Sequence, residues 1–95
     1  MNEIIIPMTF ELRALGICYV GFNQNYFKIE TPTELIVITS SESYDDIYNG
    51  TKYQLLNSGY NITVDDIRSI LEFLEENREY IENSIRKLRG GKNGI

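Results

Sequence analysis

"ICYVGFNQNYFKIE", residues 17–30, decides the fold. Residues 17–22 and 26–30 are rich in β-branched and aromatic side chains, and the polar triplet Asn23-Gln24-Asn25 separates them. Two such runs around a three-residue polar loop predict a β-hairpin. "TPT" at 31–33 reads as a turn in which Pro32 sets φ. "ELIVIT" at 34–39 follows as a third strand. Its nearly unbroken apolar run predicts the central or most buried position. Together these segments predict a three-stranded antiparallel meander.

Working toward the N-terminus, "TFELRALG" at 9–16 offers Thr9 as a helix N-cap and Gly16 as the C′ residue. Leu, Glu, Arg and Ala favour helix, so the segment predicts a short N-terminal helix turning Phe10, Leu12 and Leu15 inward. The alternation of Phe10, Leu12 and Ala14 supports a competing strand. "EIIIP" at 3–7 is an apolar run stopped by Pro7, an edge strand or an extended arm.

Toward the C-terminus, Ser43 and Asp46 stand three apart, as in a capping box. Asp45 and Asp46 then occupy a first helical turn, where the helix dipole favours acids by a few tenths to about 1 kcal/mol each. Tyr44, Ile47, Tyr48, Thr51 and Leu55 keep helical spacing, Gly50 weakens the middle, and Gly59 ends the element. Thr63 and Asp66 repeat the start signal, with Ile62 and Ile67 placed as a hydrophobic staple. Residues 64–89 then predict one long helix, roughly 39 Å at 1.5 Å per residue. The order places helices on one face of an antiparallel sheet, an α+β fold. Residues 1–89 form a single domain on this reading, and the Gly-rich basic residues 90–95 a flexible tail.

Composition narrows the chemistry. The 95 residues contain no histidine and one cysteine. Ser-His and Cys-His nucleophile pairs are therefore impossible, and one thiol builds neither an internal disulfide nor a Cys-rich zinc site. Cys18, inside a predicted strand, reads as a buried, inert thiol. The paired acids Asp45/Asp46 and Asp65/Asp66 are adjacent on single helices, so they diverge rather than converge on a metal or a glycosidic bond. No motif calls for a cofactor or metal, and the chain is expected not to be an enzyme; carboxylate-only chemistry is the catalytic class left open. The acid near the N-terminus departs from a secretory signal, and no apolar run is long enough to span a bilayer. A cytoplasmic protein is the expectation.

Charge suggests what the chain binds. The net charge is −5, from 14 acids and 9 bases. Four of the bases, Arg86, Lys87, Arg89 and Lys92, fall within the last ten residues, which leaves five against all 14 acids in residues 1–85, a balance of −9. Such a body repels phosphates and anionic membranes and attracts a basic partner. Tyr44, Asp45, Asp46 and Tyr48 on one helix, and Glu72, Glu75, Glu76 and Glu79 on the other, are the predicted partner-binding residues. Steps of three or four residues place the glutamates about 5–6 Å apart, a loose imitation of a phosphate row. Arg68–Glu72, Arg78–Glu82 and Glu82–Arg86 are spaced to neutralise part of that ridge. Tyrosine suits such a surface because one end is apolar and the other wet. The expectation is a non-catalytic, acidic protein-binding module that occupies a basic, nucleic-acid-binding surface of a larger protein. An inhibitor borne by a phage or mobile element, such as an anti-defence protein, would have this character.

The alternative is a homodimeric structural or adaptor protein. Ile67, Leu71, Leu74, Ile81, Ile85 and Leu88 follow coiled-coil spacing, interrupted by Arg78. Past Arg78 no intramolecular cover is evident from the sequence, which makes Ile81, Ile85 and Leu88 a predicted dimer interface.

Overall fold

The computed structural model describes residues 8–32, 36–57 and 59–90, with the side chains of Arg89 and Gly90 left aside. Four strands precede three helices: β1 (Met8–Leu12), β2 (Gly16–Phe22), β3 (Tyr26–Glu30), β4 (Ile36–Ser40), α1 (Tyr44–Asn57), α2 (Val64–Glu76) and α3 (Arg78–Gly90). The strands form one antiparallel sheet in the order β1-β2-β3-β4. The α+β class is as expected. The "EIIIP" segment and residues 91–95 of the predicted tail lie outside the described residues.

The hairpin forms where the sequence places it. The Asn23 side-chain oxygen accepts from the backbone amides of Asn25 and Tyr26, at 2.8 and 3.0 Å, and the Asn23 backbone amide donates to the Tyr26 carbonyl. An Asx-type turn of this kind explains why a loop without glycine closes.

The predicted N-terminal helix is a strand instead, so the meander has four strands. Residues 13–15 make the turn to β2, and Gly16 has φ +81°. The left-handed conformation expected of Gly16 is present, but it serves a hairpin rather than a helix end. Two turns of isolated helix gain little in water. As a strand, the segment buries Leu12 and stacks Phe10 on Phe73, ring centroids 4.1 Å apart. A stacked pair of this kind contributes about 0.5–1.5 kcal/mol beyond area burial.

Strict alternation sends Leu12, Cys18, Val20, Phe22, Phe27, Ile29 and Val37 to one face, where they join Ile47, Leu55, Ile70, Leu74 and Ile81 in a single core. The helices cover this face. β4 is not the central strand that its apolar run predicts. It is an edge strand, and Ile36 and Ile38 point to the uncovered face. Its free edge is sealed by side chains. Gln54 exchanges hydrogen bonds with the amide and carbonyl of Ile38, and the Tyr60 hydroxyl does so with those of Ile36.

Both predicted caps are present. Ser43 Oγ accepts from the Asp46 amide and Thr63 Oγ1 from the Asp66 amide, each at 3.1 Å. The predicted long helix is two helices, divided at Asn77, whose φ of −106° and ψ of 17° leave the helical region. Its side-chain amide donates to the Phe73 carbonyl at 2.9 Å, capping α2, while its own carbonyl accepts from Ile81 to begin α3. Ile81, Ile85 and Leu88 are buried in the chain's own core. α1 packs against α3, and Gln24 of the hairpin loop donates to the Leu88 carbonyl at 3.1 Å. The ground for a dimer seam along these three residues, a lack of intramolecular cover, is therefore removed.

Gly50 is explained by the approach of α1 to β4. A Cβ there would lie 2.8 Å from Thr39 Cγ2 and 3.1 Å from Thr39 Cβ. Gly50→Ala gains about 1 kcal/mol in helix propensity but forces a clash of the overpacking type, which costs about 1–3 kcal/mol. Urea denaturation should show no gain or a net loss for Gly50→Ala, partly restored when Thr39→Ser removes the methyl. A gain near 1 kcal/mol from Gly50→Ala alone would contradict this packing.

Candidate functional site

The helical face carries the most chemically varied surface. Ser43 starts α1 and Thr63 starts α2, and the two helices lie side by side. Tyr48 of α1 reaches across and donates its hydroxyl to Glu75 Oε2 at 3.1 Å. That contact joins two open clefts. One, of about 430 Å³, is lined by Tyr44, Asp45, Tyr48, Glu75 and Arg78. The other, of about 340 Å³, continues past Tyr48 and Glu75 to Leu71, Ile67 and Glu72. The two clefts share Tyr48 and Glu75; Ile67 and Leu71 give the second an apolar lining, and carboxylates line both.

The cations of the clefts are engaged within the chain. Arg78 Nε lies 3.0 Å from Glu82 Oε2, and its guanidinium sits 4.8 Å from the Tyr44 ring centroid, a cation–π contact. Arg68 pairs with Asp65 at 3.2 Å rather than with Glu72. Arg86 donates to Asn83 rather than to Glu82. Of the three pairs that the sequence suggests for the glutamate ridge, Arg78–Glu82 is the one that forms. Among the described residues neither Asp45 nor Glu72 has an ion-pair partner.

The predicted partner-binding residues divide. Tyr44, Asp45, Tyr48 and Glu75 come together in the first cleft, and Glu72 lines the second. Asp46 diverges from its neighbour toward the β4 edge, beside Tyr53 and Gln54. Glu76 and Glu79 are exposed but stand outside both clefts. Tyr44 is a core residue, only 6 % exposed, and Arg78 lies over its ring. The sequence reading missed Arg78 as a member of the site. Its signal was there: a cation breaking an otherwise apolar seam.

No protein-family model, curated protein or solved structure matches this chain. The site must be read from its own chemistry.

Burial pushes the Tyr48 hydroxyl above its usual range, assisted by the hydrogen bond to Glu75 and by its charge. Burial also pushes Tyr44 up to about 12; Arg78 opposes this, while Glu75, Tyr48 and Glu82 add to it. Both phenols are thus neutral at pH 7, and Tyr48 is the one that donates, to Glu75. Cys18 is fully buried, and burial, with a lesser push from Asp66, raises its thiol to about 11. Such a thiol is a poor nucleophile. Among the described residues no three His, Cys, Asp or Glu side chains cluster to hold a metal ion, and no helix is long and apolar enough to cross a membrane.

The Tyr44 hydroxyl is buried and has no hydrogen-bond partner among the described residues. Folding raises its pKa from 10.0 to about 12, so the stabilisation it confers is complete below pH 10 and is lost as pH rises toward 12. Tyr44→Phe removes both the unpartnered hydroxyl and this titration. Denaturation should find the variant as stable as the parent at pH 7, or up to about 1 kcal/mol more stable. Its stability should also fall less between pH 10 and 12. A loss above about 1 kcal/mol at pH 7 would show that the hydroxyl has a partner.

Proposed function

We propose that the protein is a non-catalytic binding module whose α1–α2 groove receives a basic, amphipathic segment of a larger protein. The observation that carries this reading is the pairing of apolar Ile67 and Leu71 with the carboxylates Asp45 and Glu72, neither of which forms an ion pair among the described residues. A helix laid there would place apolar side chains on Ile67 and Leu71 and lysines or arginines against the carboxylates. The −9 balance of residues 1–85 steers a basic partner toward it. Charge also supports a finer reading, in which the segment belongs to a nucleic-acid-binding surface and the protein acts as an inhibitor of the kind that phages and mobile elements carry. The dimeric alternative is not proposed for Ile81, Ile85 and Leu88, since the core already covers them.

A synthetic Lys/Leu amphipathic peptide of about five helical turns, roughly 27 Å long, is a direct probe, with a Glu/Leu peptide as its control. The first should bind and the second should not. Raising salt from 0.05 to 0.5 M should weaken binding by about tenfold or more, because exposed charges are screened. The triple variant Asp45→Asn, Glu72→Gln, Glu75→Gln should weaken it comparably, since each rim charge contributes on the order of 0.2–1 kcal/mol. Binding indifferent to both salt and the triple variant would overturn the reading.

A further inference from the structure

The helices cover one face of the sheet, and among the described residues no element covers the other. On that bare face Ile17, Tyr19, Ile36 and Ile38 are 46–50 % exposed. Apolar groups gathered in this way mark an interaction surface. The cross-strand register arranges the centre of the face in two rows. One reads Tyr19, Glu30, Ile36 and the next reads Gly21, Lys28, Ile38. Lys28 and Glu30 pair at 3.5 Å within the chain. These rows carry one charge of each sign, so they offer no attraction to the basic partner drawn to the helical face.

We propose that this face binds a second copy of the chain, sheet against sheet, about a two-fold axis lying across the strands between the two rows. Such an axis exchanges one row for the other. Tyr19 then lies over Gly21 of the partner copy, Glu30 over Lys28, and Ile36 over Ile38, and each pair occurs twice. Gly21 supplies the space, because it floors a shallow notch of about 190 Å³ between Tyr19 and Tyr26. A two-fold axis along the strands is less favourable on charge: along β3 it sets lysine against lysine and glutamate against glutamate, and between β2 and β3 it sets Lys28 over Gly21 and Glu30 over Tyr19, with no charge pair. Edge-to-edge pairing through β4 is blocked by Gln54 and Tyr60. Aligned sheets pack face to face at about 10 Å, with their strands turned by roughly 30°. Four strands, three of five residues and one of seven, share a rectangle of only about 19 by 17 Å. An interface so small is weak, and the dimer should assemble between about 10 µM and 1 mM.

Sedimentation of the full chain over that range tests the proposal. The parent should move from monomer to dimer. Lys28→Glu and Glu30→Lys should each weaken association by at least about tenfold without altering the circular dichroism, since both side chains are on the surface. An equimolar mixture of these two variants should dimerise again, because one copy then brings two carboxylates and the other two ammonium groups. The double variant K28E/E30K should also regain the dimer. A chain that stays monomeric at about 1 mM, or a dimer that neither single variant weakens, would overturn the proposal. So would a mixture no better associated than its components.

Discussion

The fold turns on one buried carboxyl. Asp66 is 1 % exposed in the first turn of α2, and its Oδ2 accepts from the Ala14 amide at 3.2 Å. Its own amide is held by Thr63. A buried acid is costly unless its oxygens find donors, and here a turn amide and the positive end of a helix supply them. One residue therefore fixes the start of α2 and ties it to the turn between β1 and β2. The stacking of Phe10 on Phe73 continues the same docking further along α2. Where α2 lies decides where Glu75 meets Tyr48, and hence where the two clefts meet. Asp65, next in sequence, is exposed and pairs with Arg68, a role with no such consequence.

The two surfaces of the molecule follow from this docking. Once the helices are seated on one face, the chain has no element left among the described residues to cover the other. The covered side presents acids and the two clefts. The bare side presents isoleucines, a tyrosine and a balanced ion pair. On the proposed reading the two surfaces differ in character: the acid-rimmed clefts would select by net charge, and the sheet face by shape and by the order of its charges. A chain of −5 repels its own copies at long range. The proposed self-association uses the centre of the bare face, where Lys28 and Glu30 offset one another.

Much of this was legible in the sequence. The Asn23 loop, the Ser43 and Thr63 caps and the burial of Cys18 follow from local chemistry, which spacing and residue type report well. What failed depended on tertiary partners. Residues 9–16 have helical propensity, yet the sheet offers Phe10 and Leu12 a burial that two isolated turns cannot. The break at Asn77 is invisible to apolar periodicity, because 70, 74, 81, 85 and 88 stay in phase across it. β4 reads as a central strand because both its faces are apolar, and only the fold shows that one of them is bare. Asp65 and Asp66 look alike in sequence; the turn that brings the Ala14 amide to one of them is 52 residues away in the chain. Gly50 reads as a weakness until Thr39 is seen against it.

Hydrogen exchange at the Ala14 amide, measured in the parent and in Asp66→Ala, tests the role given to this carboxyl most directly. The account predicts that the parent protects this amide and that the variant loses the protection. Global stability should fall with it by about 1–2 kcal/mol, from the lost hydrogen bond and the lost acid at the start of the helix. An unchanged exchange rate together with unchanged stability would contradict it.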